Sequence, residues 1–158
     1  MSGLCGWFSR EPGALPIADM AAPLRGPGKA PARCASHAMG AAALVGGHGL
    51  YHEDGLLIAH WGERPDTLAR LWRTHGAKAC AALSGHFAFA ILDERRAEAL
   101  LAVDRCASRP LYYQMVGRTC CSPAARWRWR GIPAPAARSI PRRSTITSTC
   151  TRCRGRAR

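Results

Sequence analysis

The chain has 158 residues, enough for one ordinary domain, and its formal net charge of +13 would suit a nucleic-acid-binding protein. The charge is unevenly distributed, because all 10 acidic residues precede Gly117, while the residues after Thr119 include 10 arginines and no acid. The first 119 residues therefore carry a net charge of only +3, which argues against a body that attracts nucleic acid by long-range electrostatics.

Short apolar runs in the first half of the chain predict strands separated by turns. A strand is expected to begin near Leu4, and the stretch rich in Pro and Gly that follows contains a helical turn around Ile17 to Leu24. Met39 to Val45 is a continuous apolar run that ends at two glycines, which indicates a buried strand. Gly55 to Ala59 predicts another strand, introduced by the turn-like residues Glu53 to Gly55.

One helix and further strands are predicted in the second half. Asp66 to Ala82 has apolar residues at mostly helical spacing, with Asp66 and Thr67 as a start signal. His86 to Leu92 and Leu100 to Asp104 predict two strands of a hairpin whose turn is Asp93 to Arg96, and Leu111 to Met115 begins another strand. Many strands with one central helix predict a mixed α+β domain.

The eight cysteines are divided equally between the first 119 residues and the rest of the chain. The N-terminus has no basic region followed by a long apolar run, so we expect no signal peptide, a reduced cytoplasmic setting and no disulfide framework. Cys150-x-x-Cys153 and the adjacent pair Cys120-Cys121 lack the spacing of paired zinc knuckles, so no metal site is expected. No apolar stretch approaches the roughly 20 residues that a membrane-spanning helix needs.

Three short segments carry a resemblance to a known family. Leu83 to Asp93 reads L-S-G-H-F-A-F-A-I-L-D, Leu101 to Arg105 reads L-A-V-D-R, and Arg109 to Tyr113 reads R-P-L-Y-Y. In order and spacing they resemble the asparagine synthetase pattern L-x-G-x-F-A-F-A-x-x-D followed by D-R-x-G-x-[KR]-P-L-Y-Y, with Ala107 in place of the glycine. In that family these residues are mainly structural, so the resemblance concerns the fold more than the chemistry. The alternative is a pair of alternating core strands joined by a turn, without kinship.

The segment Cys5-Gly6-Trp7 resembles the opening C-G-[IVW] of the same family, in which the cysteine is the first residue of the mature chain. The resemblance implies that the Cys5 thiolate attacks the side-chain amide carbon of glutamine, while the free α-amine of the same residue transfers the proton. Residues 1–4 would have to be removed to free that amine. The alternative interpretation is that Cys5 is a small buried apolar residue on a strand.

The remaining pocket positions match the family pattern only in part. Arg25 lies in L-R-G-P-G, which resembles H-R-G-P-D, and it would help to shape the pocket. Ala42 stands where an arginine would bind the glutamine carboxylate, so that charge-assisted contact is lost. Gly62, after Trp61 in place of an asparagine, would offer its backbone N–H to an oxyanion. Asp66 would contact the substrate α-amine, or would be only a helix N-cap.

The tail after Thr119 has the composition of a gene read in a shifted frame. It contains no Asp, Glu, Lys, Leu or Val, and Cys120-Cys121-Ser122-Pro123 follows from Leu-Leu-Phe-Ala codons read one nucleotide late. We therefore expect the tail to be out of frame and disordered. The rival interpretation is a genuine basic tail whose arginines, with Trp127 and Trp129, bind phosphates and stack on bases.

Taken together, the resemblance implies an N-terminal-nucleophile hydrolase fold, an αββα sandwich that is incomplete. Residues 1–119 would form a partial type-2 glutamine amidotransferase domain, and residues 120–158 the basic tail. The implied activity is hydrolysis of glutamine to glutamate and ammonia through a thioester on Cys5.

No S-G-G-x-D-S loop is present, so we expect the synthetase domain, with its ATP and Mg, to be absent and this chain to hold no cofactor. The expected partner is glutamine, without a membrane or nucleic acid, and intact relatives would be able to form homo-oligomers. The alternatives are a non-catalytic amidotransferase-like module or inactive fragment, and, less favoured, a basic nucleic-acid-binding protein.

Overall fold

The structure, a computed structural model, describes residues 3–9, 16–22, 31–45, 49–62, 64–109, 111–116, 119–122, 138–139 and 149–153. In these ranges the chain forms two antiparallel β-sheets, two α-helices and one 3-10 helix. The predicted α+β class is thereby confirmed.

The first sheet has six strands in the order β10-β8-β9-β1-β3-β2. In chain order these strands are β1 (Gly3–Ser9), β2 (Arg33–His37), β3 (Gly40–Val45), β8 (Tyr112–Val116), β9 (Thr119–Ser122) and β10 (Arg138–Ser139). β1 lies near the centre of the sheet, with Cys5 opposite Ala43 of β3 and Phe8 opposite Cys120 of β9.

The second sheet has five strands in the order β11-β7-β6-β5-β4. In chain order they are β4 (Gly49–Glu53), β5 (Leu56–Trp61), β6 (Ala88–Asp93), β7 (Glu98–Val103) and β11 (Thr149–Cys153). β6 and β7 form the predicted hairpin, in which Ala88 pairs with Val103 and Asp93 with Glu98.

The helices lie on the outer faces of the two sheets. α1 (Ile17–Ala21) packs on β1 and β3, while α2 (Pro65–His75) and the 3-10 helix Gly76–Ala82 pack on the second sheet. The order of layers is therefore helix, sheet, sheet, helix. Within the described ranges, no helix combines the length and the apolar character needed to cross a membrane.

Side-chain alternation along β6 explains why the strand is apolar on both faces. Ala88, Ala90 and Leu92 belong to the clusters between the two sheets, whereas Phe89 and Ile91 pack under α2. Because successive side chains point to opposite faces, a strand between two layers reads as a continuous apolar run. Full burial of a side chain such as Ile91 stabilises the fold by about 1.5–3 kcal/mol.

The start of α2 corrects one sequence-based interpretation. The N-cap is Arg64, which makes no side-chain capping bond, and Pro65 occupies the first turn. Asp66 therefore lies inside the helix and is not the N-cap residue. Proline is favoured at the first helical position because it has no N–H to satisfy, which moves the boundary ahead of Asp66. The Asp66 carboxylate still interacts favourably with the positive, N-terminal end of the helix dipole.

Three short segments of residues 120–158 lie within the described ranges, and each of them belongs to a strand. Cys120–Ser122 completes β9 against β1, Arg138–Ser139 pairs with β8, and Thr149–Cys153 pairs with five of the six residues of β7. These segments form backbone hydrogen bonds along strand edges whose N–H and C=O groups would otherwise be unpaired. The rest of the tail lies outside the described residues.

Candidate functional site

Cys5 lies on a central strand with its side chain buried beneath α1. Leu4 and Phe8 contribute to the clusters between the sheets, whereas Cys5 packs with Met20 and Ala43 on the outer face. Its relative exposure is 0 %. The thiol therefore faces packed hydrocarbon, on the side of β1 that points away from the second sheet.

This environment suppresses thiolate formation. Desolvation by burial, with a smaller contribution from Cys34, raises the pKa of Cys5 to about 12, and a hydrogen bond from the Ala43 backbone opposes this only in part. The thiolate is the nucleophilic form of cysteine, so the buried thiol is unreactive near neutral pH.

A disulfide between Cys5 and Cys34 is excluded by strand geometry. Both residues pair with Ala43, so they lie two strands apart on one face of the sheet. That separation is about 9.5 Å. It exceeds the roughly 7 Å between Cα atoms that a disulfide can bridge. Both thiols are free.

A cavity beside the backbone of β1 at Cys5 is too small for an amino acid. It has a volume of about 20 Å³ and lies between the sheets, where Leu4, Gly6, Leu92 and Leu101 also line it. This is about the volume of one water molecule by the same measure, and an apolar void of this kind stays dry. Neither Gly62 nor Asp66 lines it.

Gly62 follows β5 at an exposed position where glycine is required. Its φ is +100°, and a Cβ there would lie 2.3 Å from the backbone oxygen of His86 and 3.2 Å from Cα of Phe87. Next to it, the Arg109 guanidinium carbon lies 3.9 Å from the centroid of the Trp61 ring, a cation–π contact. At the end of β5, the backbone of Gly62 therefore lies close to the backbone of His86 and Phe87, and the Arg109 guanidinium supplies a positive charge.

The other predicted site residues are not gathered around Cys5. Asp66 is 60 % exposed at its side chain and pairs with Arg64 at 3.2 Å, in a helix on the outer face of the second sheet. Ala42 is buried between the sheets, and Arg25 lies outside the described residues. Cys5 and Asp66 are thus on opposite sides of the sheet pair in this structure.

Sequence analysis did not anticipate a larger cavity at the end of β6 and β7. It has a volume of about 460 Å³, and its lining includes Leu83, His86, Phe87, Asp104 and Arg105. These residues belong to the segments Leu83 to Asp93 and Leu101 to Arg105, which carry the family resemblance. In the sequence they indicate only the fold, because the resemblance gives them a structural role. Only the folded chain brings the two segments together.

A known protein family matches part of this chain. Residues 59–122 match the family model described as a glutamine amidotransferase domain. No curated protein matches the chain. The matched stretch runs from β5 to β9 and includes Gly62 and Asp66, whereas Cys5 and Arg25 precede it. The match supports a glutamine amidotransferase domain in this chain, and such a domain indicates glutamine as substrate and glutamine hydrolysis as the activity.

Proposed function

We propose that the chain is a glutaminase domain of the asparagine synthetase type, with an N-terminal-nucleophile αββα fold. The family match over residues 59–122 carries the proposal. Two further observations support it: the helix–sheet–sheet–helix order of layers, and the position of Cys5-Gly6 on a central strand. Cys5, Cys34, Cys80 and Cys106 are free thiols, in keeping with the proposed cytoplasmic location.

In the proposed reaction, the Cys5 thiolate attacks the side-chain amide carbon of glutamine, and the carbonyl oxygen becomes an oxyanion. The α-amine of Cys5 takes the thiol proton and gives it to the departing ammonia, leaving a thioester. Water then attacks the thioester and releases glutamate. Gly62 would donate its N–H to the oxyanion and Arg25 would shape the pocket, whereas Asp66 lies on the opposite side of the sheet pair and takes no part in the proposed reaction. An ATP-dependent synthetase domain outside this chain would consume the ammonia.

The proposal requires Cys5 to become accessible, and Leu4 indicates how. Leu4 packs between the sheets against the cluster that includes Trp61 and Leu111. Removal of residues 1–4 would vacate that position and release the pairing of Leu4 with Leu44. It would also create the α-amine at Cys5. A cleft would then open between the sheets beside Trp61, and Cys5, as the free first residue, would have to turn its thiol from the α1 side into that cleft.

The test compares the full chain with a chain that begins at Cys5, made by specific proteolysis and verified by intact mass. Glutamate release from glutamine is expected only from the shortened chain. Cys5→Ala in the shortened chain should abolish it, and Cys34→Ala, which removes a thiol two strands away in the same sheet, should not. If the shortened chain releases no more glutamate than its Cys5→Ala variant, the proposed mechanism is wrong.

A second candidate, a non-catalytic amidotransferase-like module, is favoured by the burial of Cys5 and by Ala42 in place of a carboxylate-binding arginine. Equilibrium binding of glutamine to the shortened Cys5→Ala chain separates the candidates. A domain that hydrolyses glutamine must bind it, whereas a scaffold that has lost the pocket will not bind it.

A further inference from the structure

His37 lies at the end of β2, beside the second sheet. It pairs with Gly40 across the two-residue turn that joins β2 to β3. Its side chain is only 3 % exposed, although three of the five residues of β2 are exposed. Two titratable neighbours of the imidazole belong to the second sheet: His52 of β4, with ring centroids 6.4 Å apart, and Glu94 of the turn after β6. A titratable ring is therefore buried where the two sheets meet.

One ring nitrogen of His37 holds the β2–β3 turn. The Met39 N–H donates to His37 Nδ1 at 3.1 Å. An imidazole nitrogen accepts a hydrogen bond only when it is unprotonated, so this bond assigns the Nε2–H tautomer to a neutral ring. The Met39 carbonyl accepts the N–H of Ser9 at 2.8 Å. The neutral ring thus holds the turn, and the turn holds the end of β1.

The same nitrogen has a second partner within reach. Glu94 Oε2 lies 3.9 Å from His37 Nδ1, and the Glu94 side chain is 36 % exposed. A proton on Nδ1 would point at the Met39 N–H, which is also a donor, whereas the Glu94 carboxylate would accept it. Protonation therefore exchanges one partner of the ring for the other, and the Met39 N–H loses its acceptor.

The surroundings of the ring act on its charge in both directions. Burial is the largest influence and lowers the pKa of His37 below its ordinary value of 6.5, and His52 acts in the same direction. Glu94, the Leu92 backbone and Asp93 act to raise that pKa. Burial prevails, so the closed turn holds a neutral ring near neutral pH. Below pH 6.5, a ring released from burial takes up a proton more readily than the closed one.

We propose that His37 is a pH-sensitive latch: its neutral ring holds the β2–β3 turn through Met39, and its protonated ring pairs with Glu94 and releases the turn. Acid then loosens the end of β1, the strand that carries Cys5, because Ser9 is bonded to this turn. Opening takes up one proton, so the open fraction should rise by up to about 10-fold per pH unit below the ordinary pKa of the ring, until the pKa of the closed form is reached. The proposal does not depend on the glutaminase proposal.

Hydrogen exchange of the Met39 amide in the full chain measures the open fraction, once each rate is divided by the intrinsic rate at that pH. The protection factor should fall about 10-fold from about pH 7 to about pH 5. The Arg96 N–H, which donates to the Asp93 carboxylate at 3.0 Å in another turn, is the control amide and should keep its protection. Nitrogen NMR of the His37 ring at about pH 7 should place the proton on Nε2.

Three variants separate the latch from its surroundings. His37→Gln removes the titrating group, so the protection of Met39 should no longer depend on pH in this interval, whatever its absolute value. His52→Gln is the matched control, because it removes the neighbouring imidazole and should leave the fall in protection in place. Glu94→Gln removes the second partner and should shift that fall to lower pH, because the carboxylate favours the charged ring.

Circular dichroism establishes that each variant is folded before exchange is measured. The proposal is overturned if the Met39 amide of the full chain is equally protected at both pH values, or if the proton of the neutral His37 ring lies on Nδ1. Neither of these measurements needs a variant. It is equally overturned if folded His52→Gln removes the pH dependence and folded His37→Gln keeps it.

Discussion

Gly62 and Gly85 both have a positive φ, but only one of them has backbone packed against its Cα. A Cβ at Gly62 would clash with the His86 carbonyl, whereas a Cβ at Gly85 would meet nothing. Gly62→Ala should therefore cost roughly 2–5 kcal/mol, through backbone strain and overpacking. Gly85→Ala should cost only the strain, about 1–2 kcal/mol. Urea denaturation measures both, and equal losses would contradict the close approach at Gly62.

The buried Cys5 thiol makes stability depend on alkaline pH. Burial raises its pKa from the ordinary value of 9.0 to about 12, so the unfolded chain releases this proton at lower pH than the folded one. Between those values the unfolded state binds fewer protons, and stability must fall as pH rises. The loss approaches about 1.4 kcal/mol per pH unit for one group. Below pH 9 Cys5 should have no such effect.

The measurement is the free energy of unfolding of the parent and of Cys5→Ala at about pH 8 and about pH 10.5. The variant will be less stable overall because it leaves a small cavity, so the comparison concerns the change with pH. The parent should lose more stability than the variant over this interval. Cys34→Ala, which removes an exposed thiol, should follow the parent. Parallel losses in parent and Cys5→Ala would mean that Cys5 is not buried as described.

At the scale of elements, a polar clamp fixes α2 to the β6–β7 turn. The Trp72 indole donates to Asp93 Oδ2 at 2.6 Å, and the Arg96 N–H donates to Oδ1 at 3.0 Å. The Arg96 side chain also donates to the carbonyls of Trp72 and Arg73 near the end of the helix. The carboxylate is nearly buried, so its hydrogen bonds count more than those of an exposed pair.

Asp93→Asn tests this clamp with little change of shape. It should cost about 1–3 kcal/mol, since it removes the charge and turns an amide donor toward one of the two donors, which loses its acceptor. Asp66→Asn is the matched control, because Asp66 is exposed and pairs only at the surface, and it should change stability by less than about 1 kcal/mol. Thermal melting compares the two. A harmless Asp93→Asn would show that α2 is held by apolar packing alone.

The elements that apolar runs predicted are those with neighbours on both faces. β3, β5, β6 and β7 fall within or next to the predicted ranges, because burial between layers demands consecutive apolar residues. β2 and β4 were not predicted. Each is an edge strand of its sheet and all of its residues are partly or fully exposed, so Arg33–His37 and Gly49–Glu53 lack an apolar signature.

The arrangement of the candidate sites was less predictable than the strands. The motif around Cys5 placed it on a strand, but which face of β1 it occupies depends on where α1 packs. The contact of Ser108 with His86 joins two loops 22 residues apart in sequence, and only the hairpin register brings them together. Pattern reasoning predicts strands, whereas both cavities depend on how the layers pack.

At the scale of the whole molecule, the tail completes the sheets. β11 pairs five residues of β7, from Thr149 opposite Val103 to Cys153 opposite Ala99, and β10 pairs with β8. Without them, the buried strand β7 would present an unpaired edge, which is a template for association with other chains. The segment that composition marks as foreign to the domain thus covers one edge of each sheet.

Deletion of residues 123–158 should therefore lower stability and promote self-association. Thr151→Pro tests the same contact in the full chain, because proline cannot donate a hydrogen bond to the strand ladder, and a loss of about 1–3 kcal/mol is expected. Thr151→Ala keeps the backbone donor and is the matched control. Urea denaturation and sedimentation velocity report stability and association. If the shortened chain is as stable and as monomeric as the full one, and Thr151→Pro behaves like Thr151→Ala, then β11 adds nothing to the sheet. The tail would then be dispensable, as its composition first suggested.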